Sequence, residues 1–327
     1  MSEPLAVALI GCGRAAEHLY LPAFAATREA RIHAVVDPRR ERRALLAGLS
    51  RCAGFETVDE MLRAGGIRAA IVLTPPTAHL LSARPVLEAR LPVLMEKPLA
   101  PTLAEGRELA ALVSHAGVPF LLGFNRRWWP PAEALRARLA ARSLRETLVV
   151  KMVFRTDPQR WDALAGAQDV LDDLASHQLD LLRFLCGREL SWVRAERTGT
   201  DSVRLSVGMT GGSVAECIAE QGGVSEESIR VTASGAEWQL RSSSDRILPP
   251  EGAIRRGLDL LDALRRKLVR RENAMRRSFA RQLAAFVRAV RENAPASPGI
   301  GDGLAALQAV EAARASLARG GAEVRLD

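Results

Sequence analysis

The chain of 327 residues is 48% hydrophobic, which suits two modest domains with buried cores. Its four scattered cysteines form no CxxC pair, no basic leader precedes the first apolar run, and no apolar run is long enough to cross a bilayer. We therefore predict a cytoplasmic protein with no structural metal and no membrane contact. The net charge of +8 lies almost wholly in residues 254–291, and because no aromatic stacking platform accompanies it we expect no nucleic-acid partner.

An apolar segment and a glycine turn open the chain. The run LAVALI is typical of a buried parallel strand, and GCGRAA follows it before a helical segment. Gly11 and Gly13 permit a tight turn and a close approach of the backbone to a phosphate, and Ala16 stands where the dinucleotide-binding fingerprint takes Gly or Ala. This Gly-x-Gly-x-x-Ala pattern is a weak signal when it stands alone.

A carboxylate ends the second predicted strand. The run IHAVVD closes at Asp37, about twenty residues beyond Ala16, where a carboxylate accepts hydrogen bonds from an adenosine ribose and disfavours an added 2′-phosphate. A helix cap ahead of Pro38 is the structural alternative for this aspartate. Arg39 and Arg40 come next, and because arginine pairs with a 2′-phosphate, NADP stays open beside NAD.

Strands and helices alternate up to residue 124. The strands AAIVLT, LPVLME and PFLLGF are separated by helical segments, which predicts a doubly wound parallel sheet over residues 1–124 with ligands at the carboxyl ends of its strands. Polar residues follow two of these strands: Thr74, Pro75 and His79 in TPPTAH, and Glu96 and Lys97 in EKP. Lys97 follows a buried strand, and the structural alternative for it is a lysine that reaches water from the strand end.

The pattern changes near Asn125, which we take as the domain boundary. The runs ETLVVKMVFRT, ELSWVRAER, SVRLSVGMT, SVAECIAEQ and SIRVTASG read as strands that follow one another with few helices between them. This succession predicts antiparallel neighbours in a second domain over residues 125–327.

The segment DVLDDLASHQLDLLRF, residues 169–184, predicts an amphipathic helix with an unusual number of acids. Asp169 fits an N-cap, and Asp172 fits the first turn, where the helix dipole favours a negative charge. At about 100° per residue, Asp172, Ser176 and Arg183 fall on the side that should face water. Two of the acids therefore have sufficient structural explanations.

The remaining polar residues of this helix fall elsewhere. Asp173, His177 and Asp180 are four and three residues apart and lie together along one edge of the apolar face. A polar residue at such an edge needs a partner. A histidine there is more often structural than catalytic, but an aspartate one turn earlier favours a functional pair.

The motifs GCGRAAEHLYLP, VVDP, TPPTAH, EKP and GFNRRWWP, with this helix, resemble the Gfo/Idh/MocA family of nicotinamide-dependent oxidoreductases nearly end to end. The resemblance implies a Rossmann domain followed by an α+β domain built on a large, open, mostly antiparallel sheet, with substrate between them. It implies that Lys97 stands beside the nicotinamide and that Asp173 and His177 serve the reaction. The chain departs from the family pattern at Ala175, where a glycine is usual, and before Asp169, where the usual glycines are replaced.

Two sets of candidate binding residues follow from the motifs and the resemblance. The cofactor-binding candidates are Gly11, Gly13, Arg14, Ala16, Asp37, Arg39, Thr74, Pro75, His79, Glu96 and Lys97. The substrate-binding candidates are Asn125, Arg127 and Asp180.

The predicted reaction is hydride transfer between a nicotinamide and a secondary alcohol carbon of a sugar, nucleotide-sugar or cyclitol. The alcohol proton must leave as well, and His177 suits that task because an ordinary histidine pKa of about 6.5 needs little adjustment. Asp173 would orient the imidazole, and Lys97 would polarise the developing alkoxide or carbonyl. Either Lys97 or His177 would carry the proton. The alternatives are an NAD-dependent glycoside hydrolase or eliminase without net redox change, and a non-catalytic dinucleotide-binding regulator.

Residues 254–271 predict a basic amphipathic helix, and a second helix runs through Phe279, Leu283 and Phe286. The basic face is either solvated, or part of a subunit interface, or a binding surface for an acidic or nucleotide-linked sugar. Open antiparallel sheets rarely stay uncovered, so we expect a homodimer or homotetramer.

Overall fold

The computed structural model describes residues 3–142, 146–157, 169–222, 225–242, 244, 246–248 and 274–326. The described residues form two compact units, one from those within residues 1–125 and 279–307 and the other from those within residues 126–278 and 308–327. The basic helix predicted over residues 254–271 lies outside the described residues. The sequence prediction assigned all of 125–327 to the second domain, whereas residues 279–307 belong to the first unit.

The first unit is built on a six-stranded parallel sheet. In chain order its strands are β1 (Leu5–Ile10), β2 (Ala30–Val36), β3 (Ala53–Phe55), β4 (Ala69–Val72), β5 (Val93–Met95) and β6 (Phe120–Leu122). They lie in the order β3-β2-β1-β4-β5-β6. Strands are added on one side of β1 up to β3 and then on its other side from β4, which defines a doubly wound sheet. Strands β4, β5 and β6 are buried along their whole length, as their continuous apolar sequences predict.

The helices follow from local sequence signals. In chain order they are α1 (Leu21–Ala25), α2 (Arg40–Ser50), α3 (Val58–Ala64), α4 (His79–Glu88), α5 (Leu103–Ala116), α6 (Pro130–Ala140), α7 (Ser176–Cys186), α8 (Ala274–Glu292) and α9 (Ile300–Ala318). Thr57 and Glu60 form a capping box at the start of α3, and the Thr102 hydroxyl accepts the Glu105 N–H at the start of α5. Helix α5 ends at Gly117, which adopts a left-handed conformation.

Apolar contacts explain why residues 279–307 join the first unit. The predicted helix through Phe279, Leu283 and Phe286 is α8, and these three side chains are buried. The Phe279 ring packs edge-on against Tyr20, with the ring centroids 5.7 Å apart. Beyond α8, the Leu122 N–H of β6 donates to the Pro298 carbonyl at 2.8 Å. The chain therefore returns to the parallel sheet after it has passed through the second unit.

The second unit is built on a seven-stranded mixed sheet. In chain order its strands are β7 (Val149–Thr156), β8 (Leu190–Gly199), β9 (Ser202–Met209), β10 (Val214–Gln221), β11 (Glu226–Ala233), β12 (Ala236–Arg241) and β13 (Val324–Arg325). They lie in the order β12-β11-β7-β10-β9-β8-β13, and all pairs are antiparallel except β7 with β10. Burial alternates along β7 and β10, so one face packs on the helices and the other is open.

The predicted fold class, a Rossmann domain followed by an α+β domain with a mostly antiparallel sheet, is confirmed by these two sheets. Two short π-helices, Ala16–Tyr20 and Leu171–Ala175, were not predicted. Short 3-10 turns occur at Pro76–Ala78, Asn125–Trp128 and Thr210–Gly212. A membrane-crossing helix would need more length and apolarity than any helix in the described part of the chain provides.

Candidate active site

The glycine turn after β1 is shaped by the strands behind it. Gly11 has φ +99°, and a Cβ at this position would stand 2.8 Å from the backbone of Leu73. Only glycine fits there. Gly13 has no neighbouring atom within 4 Å of a hypothetical Cβ, so the space in front of the turn is open. Ala16 is buried at the start of the first π-helix, and Arg14 lies between them in the turn.

Asp37 is held toward this turn. Its Oδ2 accepts the Cys12 N–H at 2.8 Å, and its Oδ1 accepts the backbone N–H of Arg39 at 2.9 Å. Burial alone would raise the pKa of Asp37, but hydrogen bonds from the Arg39 side chain and from these N–H groups outweigh it and hold the pKa below the usual range. A ribose joined to a pyrophosphate in the turn would meet this carboxylate.

Arginines that the sequence analysis did not select brace the same two loops from helix α2. Arg42 donates to the Cys12 carbonyl at 2.8 Å and pairs with Glu17 at 2.8 Å. Arg43 donates to the Asp37 carbonyl at 2.6 Å. The sequence signal for these arginines was the run PRRERR directly after Asp37. A helix that begins just after β2 has its first turn beside the loop at the end of β2, so arginines in that turn can reach the loop.

Residues after β4 are held by His79. Its Nε2 lies 2.9 Å from the Thr74 carbonyl and its Nδ1 lies 3.4 Å from the Leu99 carbonyl. The ring is fully buried, and this burial lowers the pKa of His79 to about 4 despite the backbone hydrogen bonds. A neutral ring carries a single N–H, so His79 donates to only one of these two carbonyls and packs against the other, between the TPPTAH loop, which contains Pro75, and the chain beyond EKP. This placement favours a supporting task behind the cofactor loops over direct contact with a ligand.

Lys97 stands just past the carboxyl end of β5. It is half-buried, its peptide bond to Pro98 is cis, and its backbone N–H donates to Glu96 Oε2 at 3.1 Å. The other carboxylate oxygen of Glu96 accepts the hydroxyl of Tyr20 at 2.7 Å. Tyr20 was also missed by the sequence analysis, because a contact across 76 residues leaves no trace in local spacing.

In the second unit, the helix that carries Asp173 and His177 begins as the π-helix Leu171–Ala175 and continues as α7. Asp173 is half-buried, and its Oδ2 accepts the Nε2 hydrogen of Gln221 on β10 at 3.3 Å. His177 is 4% exposed. Asp173 therefore faces the sheet, His177 is buried, and Gln221 joins them as a residue that spacing could not reveal.

The start of this helix agrees only in part with the helical-wheel prediction. Asp169 Oδ1 accepts the Leu171 N–H at 3.4 Å, as an N-cap should. Asp172 is half-buried and pairs with Arg314 at 2.5 Å. The prediction that Ser176 faces water was wrong: its side chain is 2% exposed, and its hydroxyl donates to the Asp172 carbonyl at 2.7 Å. A π-turn has more residues than an α-turn, so it shifts the angular phase of every residue after it.

Asp180 and Arg127 bind each other. The guanidinium donates to both carboxylate oxygens, at 2.9 and 2.5 Å, and the two side chains are only 2% and 6% exposed. The same guanidinium lies over the Phe184 ring, 5.3 Å from its centroid. The helical wheel put Asp180 along one edge of the apolar face, and the structure buries it there in an ion pair with Arg127. The third substrate-binding candidate, Asn125, is 3% exposed at the end of the first unit.

Within the described part of the chain, no group of three His, Cys, Asp or Glu side chains is arranged to hold a metal ion. The thiols of Cys12, Cys186 and Cys217 are free and buried.

Residues 5–124 match the family model described as "Oxidoreductase family, NAD-binding Rossmann fold". Two relatives are the myo-inositol dehydrogenase Hyg17 of Streptomyces leeuwenhoekii and the rhizopine catabolism protein MocA of Rhizobium meliloti. The first is 33% identical over 193 residues, which span 59% of either chain. The second is 27% identical over 95% of this chain and 94% of the relative. Residues 5–124 of this chain therefore belong to the Gfo/Idh/MocA oxidoreductase family.

A solved structure extends the likeness to the whole fold. The myo-inositol 2-dehydrogenase of Lactobacillus plantarum superposes with a TM-score of 0.81 over 99% of this chain and 100% of that chain, at 16% identity. The chain therefore shares the whole fold of this solved dehydrogenase, and the family model matched by residues 5–124 identifies its first domain as an NAD-binding Rossmann fold. Its glycine turn fits the cofactor, because a Cβ at Gly11 finds no room whereas the space at Gly13 is open for a phosphate.

Proposed function

We propose that this protein transfers a hydride between NAD and a secondary alcohol carbon of a cyclitol or sugar. The observation that carries the proposal is the position of Lys97, half-buried at the carboxyl end of β5 in the sheet whose glycine turn suits NAD. Ligands of such sheets bind at the carboxyl ends of the strands. Relatives named inositol 2-dehydrogenase support a cyclitol as the first substrate to test.

That residue 97 is a lysine and not an arginine supports a role for its side chain in the reaction. Only three of the 46 Lys and Arg residues are lysines, at positions 97, 151 and 267. Where this chain needs only a positive charge, it uses arginine almost everywhere. An ammonium is compact and, unlike a guanidinium, gives up a proton readily. Lys97 is thus suited to polarise an alcohol oxygen and to take part in moving its proton.

His177 and Asp173 are proposed as the second catalytic pair. A hydride leaves carbon only as the hydroxyl proton leaves oxygen, so a base is required. His177 supplies an imidazole on a buried helix, and Asp173, oriented by Gln221, supplies an acceptor one turn earlier. Asp173 would orient the imidazole or bind a neighbouring hydroxyl, and either Lys97 or His177 would carry the proton.

The test is turnover by purified variants. The wild type should reduce NAD, followed by NADH absorbance, with a member of a panel of cyclitols, sugars and nucleotide-sugars. Lys97→Met and His177→Ala should each lower kcat by about 10²–10⁴-fold, the usual contribution of a general acid or base. Lys151→Met is the matched control, since Lys151 pairs with Glu216 on the open sheet and should not affect turnover.

The outcomes separate the readings. If Lys97→Met and His177→Ala both keep turnover with folding intact, the assignment is wrong. Product that forms without added cofactor while NADH absorbance stays flat would instead identify a hydrolase or eliminase with a retained NAD. A protein that binds NADH but turns over no member of the panel would be a dinucleotide-binding regulator.

We also propose that the protein self-associates through the open face of the second sheet. Trp192, Gly208, Val214 and Val149 are register partners across four neighbouring strands, and the Trp192 indole covers Gly208. Val149 and Val214 are 51% and 41% exposed. Light scattering should give a dimer or tetramer mass that falls in the Val149→Glu/Val214→Glu variant. The control Leu81→Glu changes an exposed leucine of α4 and should leave the mass unchanged.

A cytoplasmic location is the remaining proposal. The four cysteines are free thiols, and burial raises the pKa of Cys12 and of Cys186 to about 12. Such thiols stay protonated at neutral pH and contribute as small apolar side chains. Cell fractionation tests the location, and recovery of the protein with an oxidising compartment would contradict it.

A further inference from the structure

Tyr20 is the only tyrosine in the chain, and none of its surface is exposed. It is the last residue of the π-helix Ala16–Tyr20, which follows the glycine turn directly. A tyrosine hydroxyl in a protein interior requires hydrogen-bond partners, because an unpartnered one costs free energy. The identity of its partners therefore shows what the residue does.

The hydroxyl has two partners within the first unit. Gln282 Nε2 of α8 donates to it at 3.1 Å, and it lies 2.7 Å from Glu96 Oε1. An amide nitrogen only donates and a carboxylate only accepts, so the single hydroxyl proton points at Glu96. Hydrogen bonds to an ionised acceptor are stronger than neutral ones. Tyr20 thus holds one oxygen of the Glu96 carboxylate in place.

The other oxygen of the carboxylate is tied to the lysine. Glu96 Oε2 accepts the backbone N–H of Lys97 at 3.1 Å. The carboxylate also rests against Gly123 just after β6, where a Cβ would stand 2.8 Å from Oε2. A continuous hydrogen-bonded series therefore runs from Gln282 through Tyr20 and Glu96 to the backbone of Lys97.

Tyr20 is not itself suited to move a proton. Burial first, and then the nearby Glu96 carboxylate, hold the pKa of Tyr20 well above its ordinary value, so the hydroxyl stays a donor. We infer that Tyr20 is a positioning residue, which acts through Glu96 to fix the backbone from which the Lys97 ammonium reaches the reacting alcohol. This inference rests on the proposed role of Lys97 and extends it by naming what aims the ammonium.

Tyr20→Phe removes the hydroxyl and keeps the ring. We expect kcat for the substrate found in the panel to fall by roughly ten- to hundredfold, because small misplacements at a reacting centre cost rates of this order. The Kd of NADH should stay within about twofold, since Gly11 and Asp37 are untouched. Phe279→Leu is the matched control, since it alters the packing on the Tyr20 ring and leaves the hydrogen bonds. An equal loss of kcat in both variants would overturn the inference.

A double-mutant cycle tests whether the hydroxyl acts through the carboxylate. Glu96→Gln is measured alone and together with Tyr20→Phe. Residues that act through one another give non-additive effects, so Tyr20→Phe should lower kcat much less when Glu96 has already been replaced. Effects that multiply independently would contradict the inference.

Labelled side chains provide a readout that needs no turnover. In NMR spectra, a label at the tyrosine Cζ gives one signal, and a label at the lysine Nζ gives three signals, one for each lysine. The signal that disappears in Lys97→Met belongs to Lys97. The tyrosine signal should move in Glu96→Gln, and only the Lys97 signal should move in Tyr20→Phe. An unmoved Lys97 signal overturns the positioning by Tyr20. A moved signal, with turnover retained in Lys97→Met, supports the positioning and overturns the proposed catalysis by Lys97.

Discussion

The two units of this protein place their functional candidates in different ways. In the first unit, Asp37 and Lys97 follow strands β2 and β5, and the parallel sheet brings their loops to one edge. In the second unit, Asp173 and His177 depend on the angular phase of one helix, and the π-turn changes that phase. The end of a strand is therefore a safer guide to a site than the angle of a residue around a helix. One extra residue in a helical turn rotates every later side chain of that helix, whereas it does not move the end of a strand.

The largest effect should come from the turn itself. Gly11→Ala adds a Cβ against the backbone of Leu73 at a positive φ, so we expect a loss of about 3 kcal/mol or more in the free energy of unfolding. Gly13→Ala is the matched change, because its Cβ meets no protein atom. It should keep stability and weaken NADH binding instead. Urea unfolding measures the stability of each variant, and NADH fluorescence measures its affinity for the cofactor. Equal stability of Gly11→Ala and Gly13→Ala would contradict this account of the turn.

Next in size is the buried ion pair of the second unit. Asp180→Asn removes the charge that neutralises Arg127 in an environment where both side chains are almost inaccessible. Loss of one partner from such a pair costs about 3–5 kcal/mol. Urea unfolding should show it, and a partial rescue by Arg127→Met in the same chain would identify the uncompensated charge as the cause. If Asp180→Asn keeps full stability and loses only substrate affinity, the predicted substrate-binding role is supported instead.

A pH effect of similar size should come from His79. Its pKa is about 4 in the folded protein and about 6.5 when unfolded, so the unfolded chain binds the additional proton between these values. Stability contributed by the neutral ring is then fully present above pH 6.5 and is lost as the pH falls toward 4, by about 3 kcal/mol in total. Urea midpoints across this range measure the loss. The urea midpoint of His79→Gln should depend less on pH over this range than that of the wild type. An equal pH dependence in the two proteins would contradict the prediction.

The smallest effect on stability compares two adjacent acids. Asp172→Asn breaks a half-buried pair with Arg314 and should cost about 1 kcal/mol or less with turnover unchanged. Asp173→Asn should be as mild in stability but should lower kcat, because the carboxylate that Gln221 orients is proposed to act in the reaction. Equal turnover of the two variants would remove Asp173 from the proposed mechanism.

The sequence determined the parallel sheet, the glycine turn and the residues at the strand ends, because continuous apolar runs and special backbone positions are local signals. The change to a mostly antiparallel sheet near residue 125 was readable for the same reason. The site residues that were missed, Tyr20, Arg42 and Gln221, are defined by partners far along the chain, at Glu96, Cys12 and Asp173.

The tertiary structure, in contrast, set how the polar side chains pair. It matched Asp180 with Arg127, buried Ser176 behind a π-turn, and brought Gln282 to Tyr20 across 262 residues by returning residues 279–307 to the first unit. Local sequence sets which way a short segment folds, whereas the partner of a buried charge or hydroxyl depends on which distant segment fills the adjoining space. For this chain, that difference separates the strand ends, which the sequence located, from the contacts of Tyr20 with Glu96 and Gln282, which it did not.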